Sequence, residues 1–174
     1  QILAQIIGIT DKARLENIRK GALLHDIGKI AIPDSILKKP SSLSRMEWEK
    51  IRFHPALGYG LIKEIKMVEE VGNIILYHHE RFDGKGYPKG LKKDEIPLEA
   101  RIFMLADALD AITSHRPYRR RRSFSDAKDE IHNSTETQFD PDVVKAFDSL
   151  ALDKWEKIRY ETTRLLPGFE TFIE

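Results

Sequence analysis

The chain has 174 residues, 29 basic against 28 acidic side chains, and no cysteine. That length suits one domain, and a net charge of +1 gives no general pull toward long nucleic acid or a membrane surface. Without thiols there are no disulfides, zinc–thiolate sites or cysteine nucleophiles, a reducing, cytoplasmic setting fits, and no apolar run approaches the roughly 20 residues of a membrane span.

The periodicity predicts helices throughout and no alternating strand pattern. Asp11 is placed to cap a helix over residues 11–27, with Leu15, Ile18, Ala22 and Leu23 on one face. Pro33 and Pro40 punctuate a connector over residues 30–43. Ser44 and Glu47, three apart, form a capping box for the next helix. Pro55 drives His54 out of the α region, so that helix ends there and Pro55 opens another. A further helix is predicted over residues 68–81, then a Gly- and Pro-rich loop over residues 83–91. Pro97 opens a strongly apolar helix reaching Ser114, and residues 116–122 form a basic loop. Ser125 and Asp140 are expected caps of two more helices, with Pro141 at the first turn of the second. The reading is one all-α domain over residues 1–150. Residues 151–174 form an extension whose Trp155, Tyr160, Leu165 and Phe169 either dock on the core or make a junction.

Polar residues inside these apolar helices carry the chemistry. His25-Asp26 ends the first long helix, His54 marks the break, His78-His79 follows Ile74-Ile75-Leu76-Tyr77, and Asp107 sits within Ile102–Leu109. A carboxylate among apolar neighbours needs a partner, and a buried Arg or Lys satisfies Asp107 as well as a metal does. Each histidine pair alone reads equally as a solvent-facing helix end. Taken together, six imidazole and carboxylate groups favour first-row metals, iron or manganese first, with zinc also fitting. Lys29, four residues after His25, shares its face if the helix persists, and suits a phosphate oxygen. Gly84 and Gly86 allow positive φ or close backbone approach around Tyr87. Arg116 and Arg119 are candidates for fork-like bonds to phosphate or guanine. Arg120, Arg121 and Arg122 read as solvated, and His115 and His132 as incidental.

These residues carry a resemblance. His25-Asp26-Ile27-Gly28-Lys29-Ile30 with Ile32-Pro33 resembles the signature of the HD superfamily of metal phosphohydrolases. His78-His79-Glu80-Arg81-Phe82-Asp83-Gly84-Lys85-Gly86-Tyr87-Pro88 is similar to the motif that names its HD-GYP branch. His54-Pro55 with Gly58, the run from Ala100 to Asp107, and Arg116-Pro117-Tyr118-Arg119 resemble the remaining blocks. The resemblance implies a compact multi-helix fold around two or three metals. His25, Asp26, His54, His78, His79 and Asp107 would be the ligands, with Asp26 bridging two ions. It implies cyclic di-GMP as substrate, cut to linear pGpG and in some members to GMP. Lys29, Arg116 and Arg119 match phosphate or guanine contacts, and Tyr87 lies beside the substrate. Two ions can activate a water and neutralise phosphate oxygens without a protein nucleophile, so Glu80 is read as structural.

The family also carries a histidine further upstream, whereas residues 1–24 contain none. The chain by itself is therefore expected to load its metals incompletely. An upstream sensory or receiver domain is the expected companion, and the Gly-Tyr-Pro loop a candidate docking point for a signalling partner. The competing readings are an HD phosphohydrolase for another cyclic dinucleotide or nucleotide, and a non-catalytic dinucleotide sensor or adaptor.

Overall fold

The computed structural model describes residues 1–63, 69–114 and 121–164. Within them the chain is helical, and the only β pairing is one isolated bridge between Thr135 and Phe139. The helices are α1 (Ile2–Ile6), α2 (Lys12–Leu24), α3 (Asp34–Leu37), α4 (Arg45–Arg52), α5 (His54–Lys63), α6 (Glu69–Tyr77), α7 (Leu98–Thr113), α8 (Phe124–Asn133), α9 (Pro141–Asp148) and α10 (Leu152–Arg164). No helix among these residues is long and apolar enough to cross a membrane.

The caps follow local side-chain chemistry. Asp11 accepts from the Arg14 amide at 2.7 Å, and Ser44 and Glu47 form the reciprocal capping box. Asp140 caps α9 with Pro141 in its first turn. Ser123, rather than Ser125, caps α8, because only there does the acid three residues on, Asp126, complete a capping box. The helix expected over residues 11–27 stops at Leu24. A 3₁₀ turn, Ile27–Ala31, follows, so Lys29 lies on that turn and not on a continuing helical face.

α7 is the central strut. It buries Ile102, Phe103, Leu105, Leu109 and Ile112 in one core with Leu15 and Ile18 of α2, Ile74 of α6 and Val143, Val144 and Phe147 of α9. A helix apolar on most sides can only be stable surrounded. Leu23, expected on the buried face of α2, is 70% exposed instead. Trp155 of α10 is buried, stacks on Phe147 with centroids 5.4 Å apart, and donates its indole N–H to the Phe147 carbonyl. Tyr160 stays largely exposed, and Leu165 and Phe169 lie outside the described residues.

Two close approaches determine where the helix ends go. A Cβ on Gly21 would stand 2.8 Å from Ile74 Cδ1, so glycine lets α2 and α6 touch one turn before His25 and one turn before His78. A Cβ on Gly28 would lie 1.9 Å from the His54 carbonyl oxygen. Only glycine allows the 3₁₀ turn to sit on the start of α5 and bring His54 against Asp26.

Candidate metal centre and substrate cleft

Asp26, His54, His78 and His79 each place one ligand atom within 4.8 Å of the others. His25 and Asp26 follow the C-terminus of α2, and His78 and His79 that of α6. Helix C-termini carry unpaired carbonyls and a partial negative charge, which favours a cation.

Three imidazoles are oriented by one device. His25 Nδ1 lies 2.8 Å from the Ala22 carbonyl, His54 Nδ1 2.7 Å from that of Ile51, and His78 Nδ1 2.9 Å from that of Ile75. A carbonyl only accepts, so each Nδ1 carries a proton and each ring turns its Nε2 inward. Such anchoring of the outer nitrogen is what orients metal-ligating histidines.

The inward atoms are poorly matched as a hydrogen-bond network. His54 Nε2 and His78 Nε2 face each other at 3.1 Å. Asp26 Oδ1 is 3.2 Å from His54 Nε2 and 3.9 Å from His78 Nε2, yet it is buried without a hydrogen bond. Burial, with His79 and His25 nearby, drives His78 down to about 2, so the ring takes up no second proton at neutral pH. Burial and His54 lower His79 to about 4. Asp26 is ionised: burial opposes the charge, but His25 and Lys29, both against Oδ2, hold its carboxyl well below the usual range. Converging lone pairs around an orphaned carboxylate oxygen fit a bound cation and leave a metal-free hydrogen-bond network unsatisfied.

The other oxygen, Asp26 Oδ2, lies 3.3 Å from His25 Nε2 and 2.6 Å from Lys29 Nζ. The carboxylate thus sits between His25 on one side and His54 and His78 on the other. Burial disfavours charge on His25, but Asp26, the Ala22 carbonyl and Asp107 raise it overall. Phe103 packs against the rings of His25 and His78. Asp107, one turn further along α7, is half-buried, not buried as the sequence suggested, and lines the same cleft as His78 and His79.

The Gly-Tyr-Pro loop is built onto the centre. A Cβ on Gly86 would fall 2.3 Å from the Arg81 nitrogen, so only glycine packs there, while Gly84 takes φ +77°. The Tyr87 amide donates to the His79 carbonyl at 3.0 Å, and its ring stacks on His79 with centroids 4.7 Å apart. Burial pushes the Tyr87 hydroxyl up to about 12. Glu80, 1% exposed, accepts the amides of Lys89, Gly90 and Leu91 at 2.7, 3.2 and 3.0 Å. Burial raises its carboxyl while those three donors pull it back. It therefore holds the loop.

The cleft is about 670 Å³ and also receives Trp48, Arg52, Lys85 and Gln138. Sequence reasoning missed Trp48 and Arg52. Their only signal was an exposed aromatic and an arginine four apart, just before His54. Arg116, Arg119, Arg120 and His115 lie outside the described residues. Arg122 pairs with Glu130, and His132 pairs with Asp148 on the surface.

Fold and site together define an all-helical protein with a His/Asp metal centre. The HD domain family's sequence profile matches residues 3–143. The cyclic di-GMP phosphodiesterase response regulator RpfG of Xanthomonas campestris pv. campestris is 40% identical over 147 residues, 83% of this chain and 39% of its own. The 3'3'-cGAMP-specific phosphodiesterase 3 of Vibrio cholerae serotype O1 is 34% identical, over 83% of this chain and 31% of its own. Bd1817 of Bdellovibrio bacteriovorus, described as an HDG"Y"P protein, superposes with a TM-score of 0.68 at 25% identity, covering 90% of this chain and 48% of that one. The chain belongs to the HD domain family, a family that binds divalent metals, and to its HD-GYP branch. It spans less than half the length of each of these relatives.

Proposed function

We propose that this domain hydrolyses the phosphodiester bonds of a cyclic dinucleotide, cyclic di-GMP first, to linear pGpG and onward to GMP. The observation that carries the reading is the set of backbone-anchored imidazoles whose Nε2 lone pairs converge on an orphaned Asp26 oxygen. His25, Asp26, His54, His78, His79 and Asp107 would hold two or three divalent ions, iron or manganese. When bound, such ions supply an activated water and neutralise phosphate charge.

The chain's own groups do the rest. Lys29, on the centre's edge, offers a cation to a phosphate oxygen, and Arg116 and Arg119 are assigned to the phosphate or guanine edges. Tyr87 closes one side of the cleft over His79. The likeness to a relative named a response regulator supports an upstream receiver domain as regulatory companion and a cytoplasmic setting. The likeness to a relative named as cGAMP-specific favours a second reading, with a mixed guanine–adenine dinucleotide as substrate.

The test is hydrolysis of cyclic di-GMP, 3'3'-cGAMP and cyclic di-AMP after anaerobic loading with iron(II) or manganese. The reading expects metal-dependent turnover, fastest with cyclic di-GMP. Fastest turnover of cGAMP selects the second reading, and bound metal without turnover of any of the three refutes hydrolysis.

A further inference from the structure

The cleft has a wall that the metal centre does not explain. Trp48 and Arg52 line it from α4, and at four residues' separation they share one helical face. α4 buries none of its residues, so Trp48, 51% exposed, anchors no core. An indole left open beside a cleft offers a flat face on which a base can stack.

Arg52 is equally distinctive. Several nearby cations are paired, Arg45 with Glu49, Lys39 with Glu47 and Arg81 with Asp83. Among the described residues no carboxylate pairs with Arg52. Its guanidinium lies instead over the Tyr87 ring, 4.6 Å from the centroid, and that ring stacks on His79. Stacking holds a guanidinium by its face and leaves its N–H edge free for a phosphate.

We infer that Trp48 and Arg52 form the recognition face for the part of the nucleotide that is not being cleaved, the indole stacking on a base and the guanidinium binding the second phosphate. The inference rests on the phosphodiesterase reading above. Base–aromatic stacking and charge-assisted phosphate bonds are the two interactions this wall offers, and together they suit a nucleotide rather than a bare phosphate ester.

The chain has two tryptophans, and the other, Trp155, is buried against Phe147. Titrating cyclic di-GMP into the manganese-loaded full chain should therefore quench indole emission through Trp48, saturably, and Trp48→Phe should abolish the quench. Trp48→Ala and Arg52→Ala should each raise KM for cyclic di-GMP roughly tenfold or more, with metal per chain as in the parent. Arg52→Lys, which keeps the charge and loses the fork, should fall between. A quench that survives Trp48→Phe, or an unchanged KM in both alanine variants, overturns the assignment. Hydrolysis of bis(p-nitrophenyl) phosphate, which carries no base, separates the two levels. A parent that, with metal bound, cleaves neither it nor cyclic di-GMP refutes the phosphodiesterase reading itself. A parent that cleaves it, with variants of unchanged KM for cyclic di-GMP, refutes only the recognition face.

Discussion

The molecule contains two histidine–aspartate contacts that look alike in a distance list. His25 Nε2 lies 3.3 Å from Asp26, and His132 Nε2 lies 2.9 Å from Asp148. The second is the shorter, yet its side chains are 44% and 32% exposed and Lys128 shares the same carboxylate at 3.0 Å. Both side chains reach solvent and the carboxylate has two partners, so it is an ordinary surface ion pair. Around Asp26, His54 and His78 are buried, their outer nitrogens are fixed by carbonyls, and one carboxylate oxygen is left without a donor. What separates a metal centre from a salt bridge is therefore unsatisfied lone pairs held in place, and not the presence of a His–Asp contact.

The largest expected effect comes from the first region. Asp26→Ala removes the one carboxylate of the clustered ligand set, and should lower hydrolysis and metal affinity more than about 100-fold, read by turnover and metal analysis. Helical circular dichroism should persist, because Asp26 supports no core packing. Gly28→Ala forces a methyl onto the His54 carbonyl. It should cost about 1–3 kcal/mol in denaturant melts and reduce bound metal by displacing His54.

The pH dependence differs between the regions as well. His78 and His79 are held by burial at about 2 and about 4, below the ordinary imidazole value of 6.5. Between pH 6.5 and 4 the unfolded chain takes up protons that these native rings refuse. Stability of the metal-free chain should therefore fall as pH falls, by up to about 1.4 kcal/mol per unit for each ring. His25, raised, opposes this in part. Thermal melts in chelator from pH 7 to 4.5 measure the slope, and a stability that rises on acidification would contradict the burial argument. The smallest effect is expected from Asp148→Ala. It should leave metal content unchanged and shift stability within about 0.5 kcal/mol.

Much of this was legible in the sequence, for identifiable reasons. Asp11, Ser44 with Glu47, Pro97 and Asp140 announce their helices through local chemistry that tertiary structure does not overrule. Ser125 misled because Ser123, two residues earlier, has Asp126 at the position that completes a capping box. The extent of the helix before His25 was overread, since nothing local signals that the chain must tighten into a 3₁₀ turn to let Gly28 meet His54. Asp107 was expected to be buried from its apolar neighbours, but the side of α7 it occupies opens onto the cleft, a fact of helix packing. Trp48 and Arg52 escaped notice because an aromatic and a cation on a short polar helix are commonplace until the fold sets them beside Tyr87. The candidate ligands were recoverable because polar groups in apolar helices are conspicuous. Their carbonyl anchors were not, because a backbone acceptor three residues back leaves no mark in the sequence.

The central claim is that the Nε2 lone pairs of His54 and His78 and the orphaned oxygen of Asp26 converge on a cation. Crystals grown with manganese, with anomalous diffraction recorded near the manganese edge, test it most directly. The account predicts an anomalous peak within about 2.0–2.3 Å of His54 Nε2, His78 Nε2 or His79 and of an Asp26 oxygen. Manganese located only elsewhere on the chain, with His54 and His78 still facing each other across an empty gap, would contradict it.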